Sequence, residues 1–425
     1  MKKILILAFA LVFAVNAIDF LGEDQHPGFV KLNDTDDLFY WLFKSRGDKT
    51  KDPLVIWLTG GPGCASTMAA LSENGPFHVD PSTLNLIKNN YSWNEKANLV
   101  FIDQPIGTGF SKGKLTDYVT SEDQIAKDFY TFMVGFYEKF PEYKGRELFI
   151  TGESYAGHYV PAVSAYLKAQ NNKDFNLIAS AIGNGLVDPY TQYPEYATFA
   201  KENKLISDVT YYLLKGAFKV CQGLIKTGIW FLAMEECQLG VTGILGLPTA
   251  PRFNVYDIRL KCEKPPLCYD FSAIDKFYQR EDVIAALGVK GRKWQECNMV
   301  VHTALLGDWM TSLSAKVQYL LENDVNILVY SGDKDFICNW RGGEAWTNAM
   351  PWKHQAEFQK AQYTPYTVNG KEAGQYKEVD NLTFLRVYNA GHMVPMDQPA
   401  VALAMVDKFM NKWAAEKKMK KMSSL

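Results

Sequence analysis

Short, mainly apolar runs that end close to glycine, aspartate or asparagine recur along the chain. Runs of this length, bounded by turn residues, are typical of strands that are buried on both faces of a mostly parallel sheet. They predict six strands, at residues 53–58, 98–102, 148–151, 178–182, 325–330 and 382–388.

The segment between the second and third runs has the spacing of a helix. Residues 121–140 place Ile125, Phe129 and Phe132 on one face, and Pro141 ends the pattern. Strands that alternate with helices predict an α/β fold, in which helices flank a mostly parallel central sheet. Residues that carry chemistry then belong on loops at the carboxyl ends of the strands.

The pattern changes over residues 188–297, where strand signals fade and leucine- and tyrosine-rich helical stretches and most of the cysteines appear. We interpret this stretch as a helical insertion, stapled by disulfides, that lies over the sheet as a lid. A separate domain with its own role is the alternative. The core is then predicted in two parts, 18–187 and 298–413, and a basic C-terminal tail at 414–425.

The N-terminus has the pattern of a secretory signal peptide. Lys2 and Lys3 precede an apolar run, and Val15 and Ala17 supply small residues for cleavage after Ala17. We therefore expect residues 1–17 to be removed, no membrane span in the mature chain, and a destination in the secretory pathway.

Composition narrows the partners further. A net charge of −2 makes nucleic acid an unsuitable partner. Seven cysteines leave at least one thiol unpaired in a monomer, and Cys262 and Cys268 close a short loop that suits a disulfide rather than a zinc site. In a secreted chain, sequons make Asn33, Asn90 and Asn381 candidate glycan sites.

The run 148–151 leads into a turn around Ser154 that has small residues on both sides. Gly152 and Ala156 flank the serine at the spacing of a nucleophile elbow, in which a sharp strand-to-helix turn lifts the hydroxyl clear of the backbone. The pattern favours an α/β-hydrolase, although the short string alone is equally typical of an ordinary surface turn.

A serine nucleophile needs a base and an acid that orients the base, and α/β-hydrolases place both after the serine in the chain. Among the later histidines, His392 follows a strand run and lies on a glycine turn, whereas His158 belongs to the elbow helix and faces away from the hydroxyl. Asp333 and Asp335 both follow the run 325–330, and spacing does not choose between them.

Five blocks in order resemble the serine carboxypeptidase family over residues 28–413. They are WLTGGPGC (57–64), DQP (103–105), GESYAGHY (152–159), DKDFICNW (333–340) and GHMVP (391–395). The resemblance implies Ser154 as nucleophile, Asp335 as orienting acid and His392 as base. It also implies that the amides of Gly61 and Tyr155 form an oxyanion hole, as preorganised N–H groups can.

The resemblance further implies how a C-terminal carboxylate is bound. Trp57, Gly60, Glu73 and Glu153 are expected in this site, and Thr59 stands where the family has an asparagine. A protonated carboxyl can donate to a carboxylate, so hydrolysis of peptides should be favoured at acidic pH. By the same similarity Trp309, Ile337, Cys338 and Met393 line the substrate pocket.

By resemblance, Cys338 is the unpaired thiol and the disulfides are Cys64–Cys297, Cys221–Cys237 and Cys262–Cys268. No metal or cofactor is expected. The expected partners are the C-termini of peptides or proteins, and a homodimer stays open. A lysosome, a vacuole or the medium is the expected destination.

The function predicted is a serine-type carboxypeptidase that acts through an acyl-enzyme. Three alternatives stay open: an acyltransferase on the same scaffold, for which Thr59 is the relevant departure; a lipase or esterase, against which Glu73 and Glu153 argue; and a non-catalytic protective or binding protein. The complete set of Ser154, Asp335 and His392 argues against the last as the sole function.

Overall fold

A computed structural model describes residues 18–246, 250–265 and 267–423. The predicted signal peptide at 1–17 lies outside the described residues. Twelve strands and fifteen α-helices are found in the described part of the chain, and none of those helices combines the length and apolarity needed to cross a bilayer.

Ten of the strands form one twisted sheet, in the order β1-β2-β6-β3-β7-β8-β9-β12-β11-β10, and β4 pairs with β5 in a small hairpin. The strands are β1 (Gln25–Lys31), β2 (Asp37–Phe43), β3 (Leu54–Thr59), β4 (Phe77–Val79), β5 (Leu86–Lys88), β6 (Asn98–Asp103), β7 (Glu147–Glu153), β8 (Asn176–Gly183), β9 (Asn326–Gly332), β10 (Thr364–Val368), β11 (Lys371–Val379) and β12 (Leu382–Val387). The six central strands run parallel, and antiparallel strands close both edges.

Helices cover both faces of the sheet and fill the connection between β8 and β9. They are α1 (Ser66–Ser72), α2 (Glu122–Lys139), α3 (Ala156–Ala169), α4 (Pro189–Gln192), α5 (Glu195–Glu202), α6 (Asp208–Thr227), α7 (Trp230–Leu245), α8 (Ser272–Tyr278), α9 (Glu281–Leu287), α10 (Met299–Ala304), α11 (Ser314–Glu322), α12 (Trp340–Ala349), α13 (Gln355–Lys360), α14 (Val394–Asp397) and α15 (Pro399–Ser423). The predicted α/β fold is confirmed, and α15 shows that the described part of the basic tail continues a helix.

The core has two layers because the central strands bury both faces. On β3, Leu54 and Ile56 point into the layer under α2 and α3, whereas Val55 and Trp57 point into the layer under α1 and α15. This alternation follows from the two-residue repeat of a strand. Each fully buried apolar side chain contributes roughly 2 kcal/mol, so the paired layers hold the strand ends in place.

All six predicted strands are present, each within a few residues of the expected bounds, and they are the six parallel central strands. Between β8 and β9 the described residues contain helices and no strand, which accords with the predicted insertion at 188–297. Its bounds stay a prediction. The connections at the carboxyl ends of β3, β7, β9 and β12 carry the candidate catalytic and oxyanion residues.

Candidate active site

Ser154 lies between β7 and α3 in a backbone conformation that residues other than glycine rarely adopt. Its φ is +68°, in the left-handed region, and its side chain is half-buried. The turn requires small neighbours, since a Cβ added to Gly152 would lie 2.8 Å from the Cβ of Ala156, and one added to Gly60 would lie 2.3 Å from the amide nitrogen of Tyr155. Strain of this kind is typical of a functional turn. The geometry supports the elbow over an ordinary surface turn.

Asp335 and His392 meet at the carboxyl ends of β9 and β12. His392 Nδ1 lies 2.8 Å from Asp335 Oδ2, and both side chains are buried. Asn184 Nδ2 donates to the same oxygen at 2.8 Å, and the amide of Ile337 donates to Oδ1 at 3.0 Å. The carboxylate is therefore held from several sides, as an orienting group needs to be.

Asp333 has different partners, although it follows the same strand. Its Oδ1 accepts from the amide of Asn389 at 2.8 Å, and its other oxygen pairs with Lys334 and Arg386. Asp335 is thus the aspartate beside His392. The second ring nitrogen of His392, Nε2, is buried and hydrogen-bonds to no described residue, which leaves it available to take a proton.

Two backbone amides border the serine. The amides of Gly61 and Tyr155 donate to no acceptor among the described residues. Gly61 has a φ of +111°, which glycine adopts without steric cost. Free donors of this kind can receive an oxyanion.

Two buried glutamates lie beside the elbow. Glu73 caps the C-terminus of α1, and Glu153 ends β7; they are 1% and 3% exposed. Burial raises the pKa of both carboxyls, and repulsion by the Glu73 carboxyl raises the pKa of Glu153 further. The two carboxyls share a hydrogen bond with each other, and both oxygens of Glu73 and one of Glu153 have no other partner among the described residues. Protonated, these carboxyls are suited to donate to an acidic ligand.

Thr59 is tied to its neighbours. Trp57 Nε1 donates to Thr59 Oγ1 at 3.0 Å, and the Thr59 amide donates to Ser66 Oγ at 3.0 Å. The hydroxyl oxygen therefore accepts from Trp57, and the hydroxyl keeps its own hydrogen for donation.

Comparison with known proteins agrees with this arrangement. The family model for serine carboxypeptidase matches residues 17–412. Serine carboxypeptidase-like 47 of Arabidopsis thaliana is 42% identical over 88% of this chain and 75% of its own length. Carboxypeptidase Y of Saccharomyces cerevisiae is 38% identical over 91% of this chain and 75% of its own length. The chain belongs to the serine carboxypeptidase family.

A solved structure extends the likeness to the fold. The prohormone-processing carboxypeptidase KEX1(delta)P of Saccharomyces cerevisiae superposes with a TM-score of 0.82 at 31% identity, covering 91% of each chain. This protein is accordingly a hydrolase with the α/β-hydrolase fold and belongs to the serine carboxypeptidases.

Trp309 and Ile337, two of the residues predicted to line a substrate pocket, contact both the core and the insertion. The ring of Trp309 lies 5.3 Å from that of Tyr155, and its Nε1 donates to the hydroxyl of Tyr193 at 3.1 Å. The carbonyl of Ile337 accepts from the hydroxyl of Tyr196. Predictions from the sequence did not include Tyr193 and Tyr196, whose only signal was a tyrosine-rich insertion.

Cys338 and Met393 adjoin the residues of the acid and base. The Cys338 amide donates to Asp335 Oδ2 at 3.2 Å, and burial raises the pKa of its thiol. Met393 is buried directly after His392. The substrate-binding roles of both side chains stay predictions.

The insertion also contacts His392, the candidate base. This contact was not predicted from the sequence. The amide of His392 donates to the carbonyl of Tyr256 at 2.7 Å, and the two rings lie 5.1 Å apart. The ring of Tyr269 stacks on that of Tyr256 at 5.8 Å. Only the tertiary fold brings these tyrosines to the histidine, so no local sequence signal could have found them.

His158 is not part of the catalytic set. Its Nδ1 lies 2.6 Å from the carbonyl of Leu186, and burial lowers its pKa to about 4. It is a neutral, buried residue of α3, as its position in the sequence predicts.

The three disulfides are confirmed, and Cys338 is the free cysteine. Cys64–Cys297 ties the glycine loop after β3 to the end of the predicted insertion. Disulfides are typical of an oxidising compartment, which agrees with a protein of the secretory pathway.

The sequons differ in exposure. Asn33 and Asn90 are exposed. Asn381 is buried instead: it is 7% exposed, and its Nδ2 donates to the carbonyls of Leu321 and Val325 at 2.9 and 3.0 Å. A glycan on that nitrogen is incompatible with the folded chain, so the expectation for Asn381 is wrong.

Proposed function

We propose that this serine carboxypeptidase releases C-terminal residues from peptides through an acyl-enzyme on Ser154, and that the reaction is favoured at acidic pH. The observation that carries the proposal is the pair of buried glutamates, Glu73 and Glu153, beside the serine elbow. A general hydrolase has no need of two such carboxyls, whereas an enzyme that binds a free C-terminus needs donors for its carboxylate.

The first half of the reaction forms the acyl-enzyme. Ser154 Oγ attacks the carbonyl carbon of the last peptide bond while His392 Nε2 takes the hydroxyl proton. Asp335, which contacts Nδ1, stabilises the imidazolium. The amides of Gly61 and Tyr155 stabilise the oxyanion. His392 then returns the proton to the leaving amine, and the C–N bond breaks.

In the second half, water gives a proton to His392 and attacks the acyl carbon. The ester bond breaks and Ser154 Oγ recovers its proton. The shortened peptide leaves with a new C-terminal carboxylate, so the chemistry needs no group beyond those of the chain.

The pH dependence follows from the glutamates. Glu73 and Glu153 have raised pKa values, so a proton stays on the pair at a pH where ordinary carboxyls are ionised. The protonated carboxyl then donates a hydrogen bond to the substrate carboxylate. As pH rises through the raised values the pair ionises and repels the carboxylate, so KM should increase. The expected destination is an acidic lysosome or vacuole, or the medium.

The test compares an N-blocked dipeptide with its C-terminal amide across acidic to neutral pH. We expect the free acid to be preferred at low pH, and the preference to fall as pH rises. Equal rates on acid and amide at every pH would contradict carboxylate recognition. Glu153→Gln should weaken the pH dependence of KM for the acid and leave hydrolysis of the amide nearly unchanged.

Acyl transfer is the second candidate, because the side chain of Thr59 offers fewer donors than asparagine at this position and is already tied to Trp57. The same assay, repeated with an added amine or alcohol, decides between them. A transfer product that exceeds the hydrolysis product at low nucleophile concentration would identify an acyltransferase. Thr59→Asn should then shift the ratio towards hydrolysis.

A further inference from the structure

Helix α6 in the insertion has two apolar faces instead of one. Its inner face packs against the enzyme through Leu214, Phe218, Cys221 and Ile225. On the opposite side, a stripe with helical spacing is exposed. Its large members are Val209, Tyr212, Leu213 and Val220, at 71%, 69%, 70% and 55% exposure. Exposed apolar surface of this extent is typical of an interaction site.

Further exposed apolar residues lie at the tip of the helical hairpin formed by α6 and α7. The tip residues, which join and begin the two helices, are Ile229, Trp230, Phe231 and Leu232, at 48%, 36%, 67% and 51% exposure. The stripe and the tip are together termed the hairpin surface, although Gly223 and Thr227 separate them on the outer face of α6. It consists of Val209, Tyr212, Leu213, Val220 and residues 229–232.

Lysines border this surface. Lys215 and Lys219 each lie close to a position of the stripe, whereas the amine of Lys226, just before the tip, lies 5.0 Å from the ring centroid of Tyr190 on the enzyme side. None of the three pairs with a carboxylate of a described residue. The single acid of α6, Asp208, is paired with Lys201 at 3.1 Å. The border is thus cationic and has no compensating acid on its own helix.

The other face of the hairpin is committed to the enzyme. Gln238 Nε2 donates to the hydroxyl of Tyr193 at 3.1 Å, and Gln222 Nε2 donates to the carbonyl of Tyr190 at 2.8 Å. Cys221–Cys237 joins the two helices between these contacts. The hairpin surface therefore faces outward on a fixed support.

We propose that the hairpin surface docks the protein onto the surface of an anionic phospholipid bilayer. An exposed apolar helix face that carries tryptophan, phenylalanine and leucine, with lysines at its border, has the composition of an interfacial membrane anchor. The apolar residues enter the boundary between head groups and acyl chains, while Lys215 and Lys219 contact lipid phosphates.

The acids of α7 limit the contact. Glu235 and Glu236 lie one turn beyond the tip, on α7. Anionic lipid repels them, so docking places α6 and the tip against the bilayer and tilts the rest of α7 away.

A second copy of this chain is the competing occupant, and the charges disfavour it. A symmetric contact through the stripe of α6 would bring the same unpaired lysines towards each other. An anionic surface satisfies them all at once, which is why the charges favour lipid.

The experiment is vesicle flotation of the protein, expressed through a secretory pathway. The vesicles are of phosphatidylcholine alone or of an equal mixture with phosphatidylserine. We expect binding to the mixed vesicles, weakened by salt and weaker still on phosphatidylcholine. Phe231→Asp and Leu213→Asp should each reduce partitioning by at least about tenfold, and Lys215→Gln with Lys219→Gln by about fivefold per lysine.

Matched controls use residues of similar exposure outside the insertion. Leu115→Asp, at 68% exposure, and Lys371→Gln should leave partitioning unchanged. Hydrolysis of a soluble dipeptide should be the same in all of these variants, which shows that they are folded.

Two results would overturn the proposal. One is the absence of binding to either kind of vesicle. The other is a concentration-dependent dimer in analytical ultracentrifugation that Phe231→Asp abolishes, which would assign the hairpin surface to a second copy.

Discussion

The active-site edge of the sheet and the helical hairpin depart in opposite ways from the usual pattern, in which charged groups are exposed and large apolar side chains are buried. At the strand ends, the carboxyls of Glu73 and Glu153 are buried. At the hairpin, the apolar side chains of Leu213 and Phe231 face the solvent. A buried acid costs free energy unless it is paired, and exposed apolar surface contributes nothing to the fold. We therefore attribute each region to the binding role proposed for it rather than to stability.

The sharpest contrast is between two serines. Ser154→Ala should lower kcat/KM by roughly a millionfold without changing the fold. Ser207 caps α6 in the insertion by accepting from the amide of Thr210 at 3.1 Å, so Ser207→Ala should cost about 1 kcal/mol of stability and leave kinetics alone. Dipeptide hydrolysis and urea unfolding measure both; substantial activity in Ser154→Ala would remove the serine from the mechanism.

The two aspartates after β9 give the next largest effect. Asp335→Asn should reduce kcat by about ten-thousandfold, because the imidazole loses the partner that fixes its tautomer. Asp333→Asn is the matched control, since Asp333 contacts Asn389, Lys334 and Arg386 rather than His392. We expect it to change kcat by less than tenfold. Comparable losses in the two variants would contradict the assignment of the acid.

Within the hairpin, the two faces of α6 should differ in stability. Phe218 is fully buried, so Phe218→Ala should cost about 3–5 kcal/mol. Leu213 is 70% exposed, and Leu213→Ala should stay within about 0.5 kcal/mol. Equilibrium denaturation measures both. If the unfolding of Phe218→Ala separates into two transitions, the insertion unfolds independently of the sheet, which would favour the alternative of a separate domain.

The most gradual effect expected is on the pH dependence of stability. Folding raises the pKa of Glu73 and Glu153, so above the unfolded pKa of about 4.3 the folded state holds protons that the unfolded state has lost. The free energy of unfolding should therefore fall as pH rises from there through the folded pKa values, by about 1.4 kcal/mol per pH unit for each proton held only by the folded state. Urea midpoints between pH 4 and 8 measure it, and Glu73→Gln with Glu153→Gln should flatten the curve; a midpoint that rises with pH contradicts the assignment.

The central sheet was predictable because its strands are buried on both faces and therefore show as continuous apolar runs. The edges were not. On β1 (Gln25–Lys31) and β11 (Lys371–Val379), most positions are half-buried or exposed, and only Val30, Gly374 and Lys377 are buried. Pairing with the neighbouring strand, rather than apolar content, makes these segments strands.

The candidate site divides in the same way. Ser154 and His392 have local signals, a small-residue turn and a glycine turn after a strand. The choice between Asp333 and Asp335 has no local signal, because both follow the same strand; only the resemblance to the family implied Asp335, and the contacts of the folded chain agree with it. Asn184 and Tyr256 reach Asp335 and His392 across 151 and 136 residues, and no pattern in the sequence announces such a contact.

The contact between the Tyr256 carbonyl and the His392 amide constrains how substrates enter. Because the main chain of the insertion is hydrogen-bonded to His392, the proposed general base, the insertion cannot move away from the sheet without displacing that histidine. We therefore expect the insertion to stay in place during catalysis, so that a flexible chain end enters the site from the side. Compact C-termini would have to fray before they are cut, so the structure of the substrate, as well as its last residues, would decide what is trimmed.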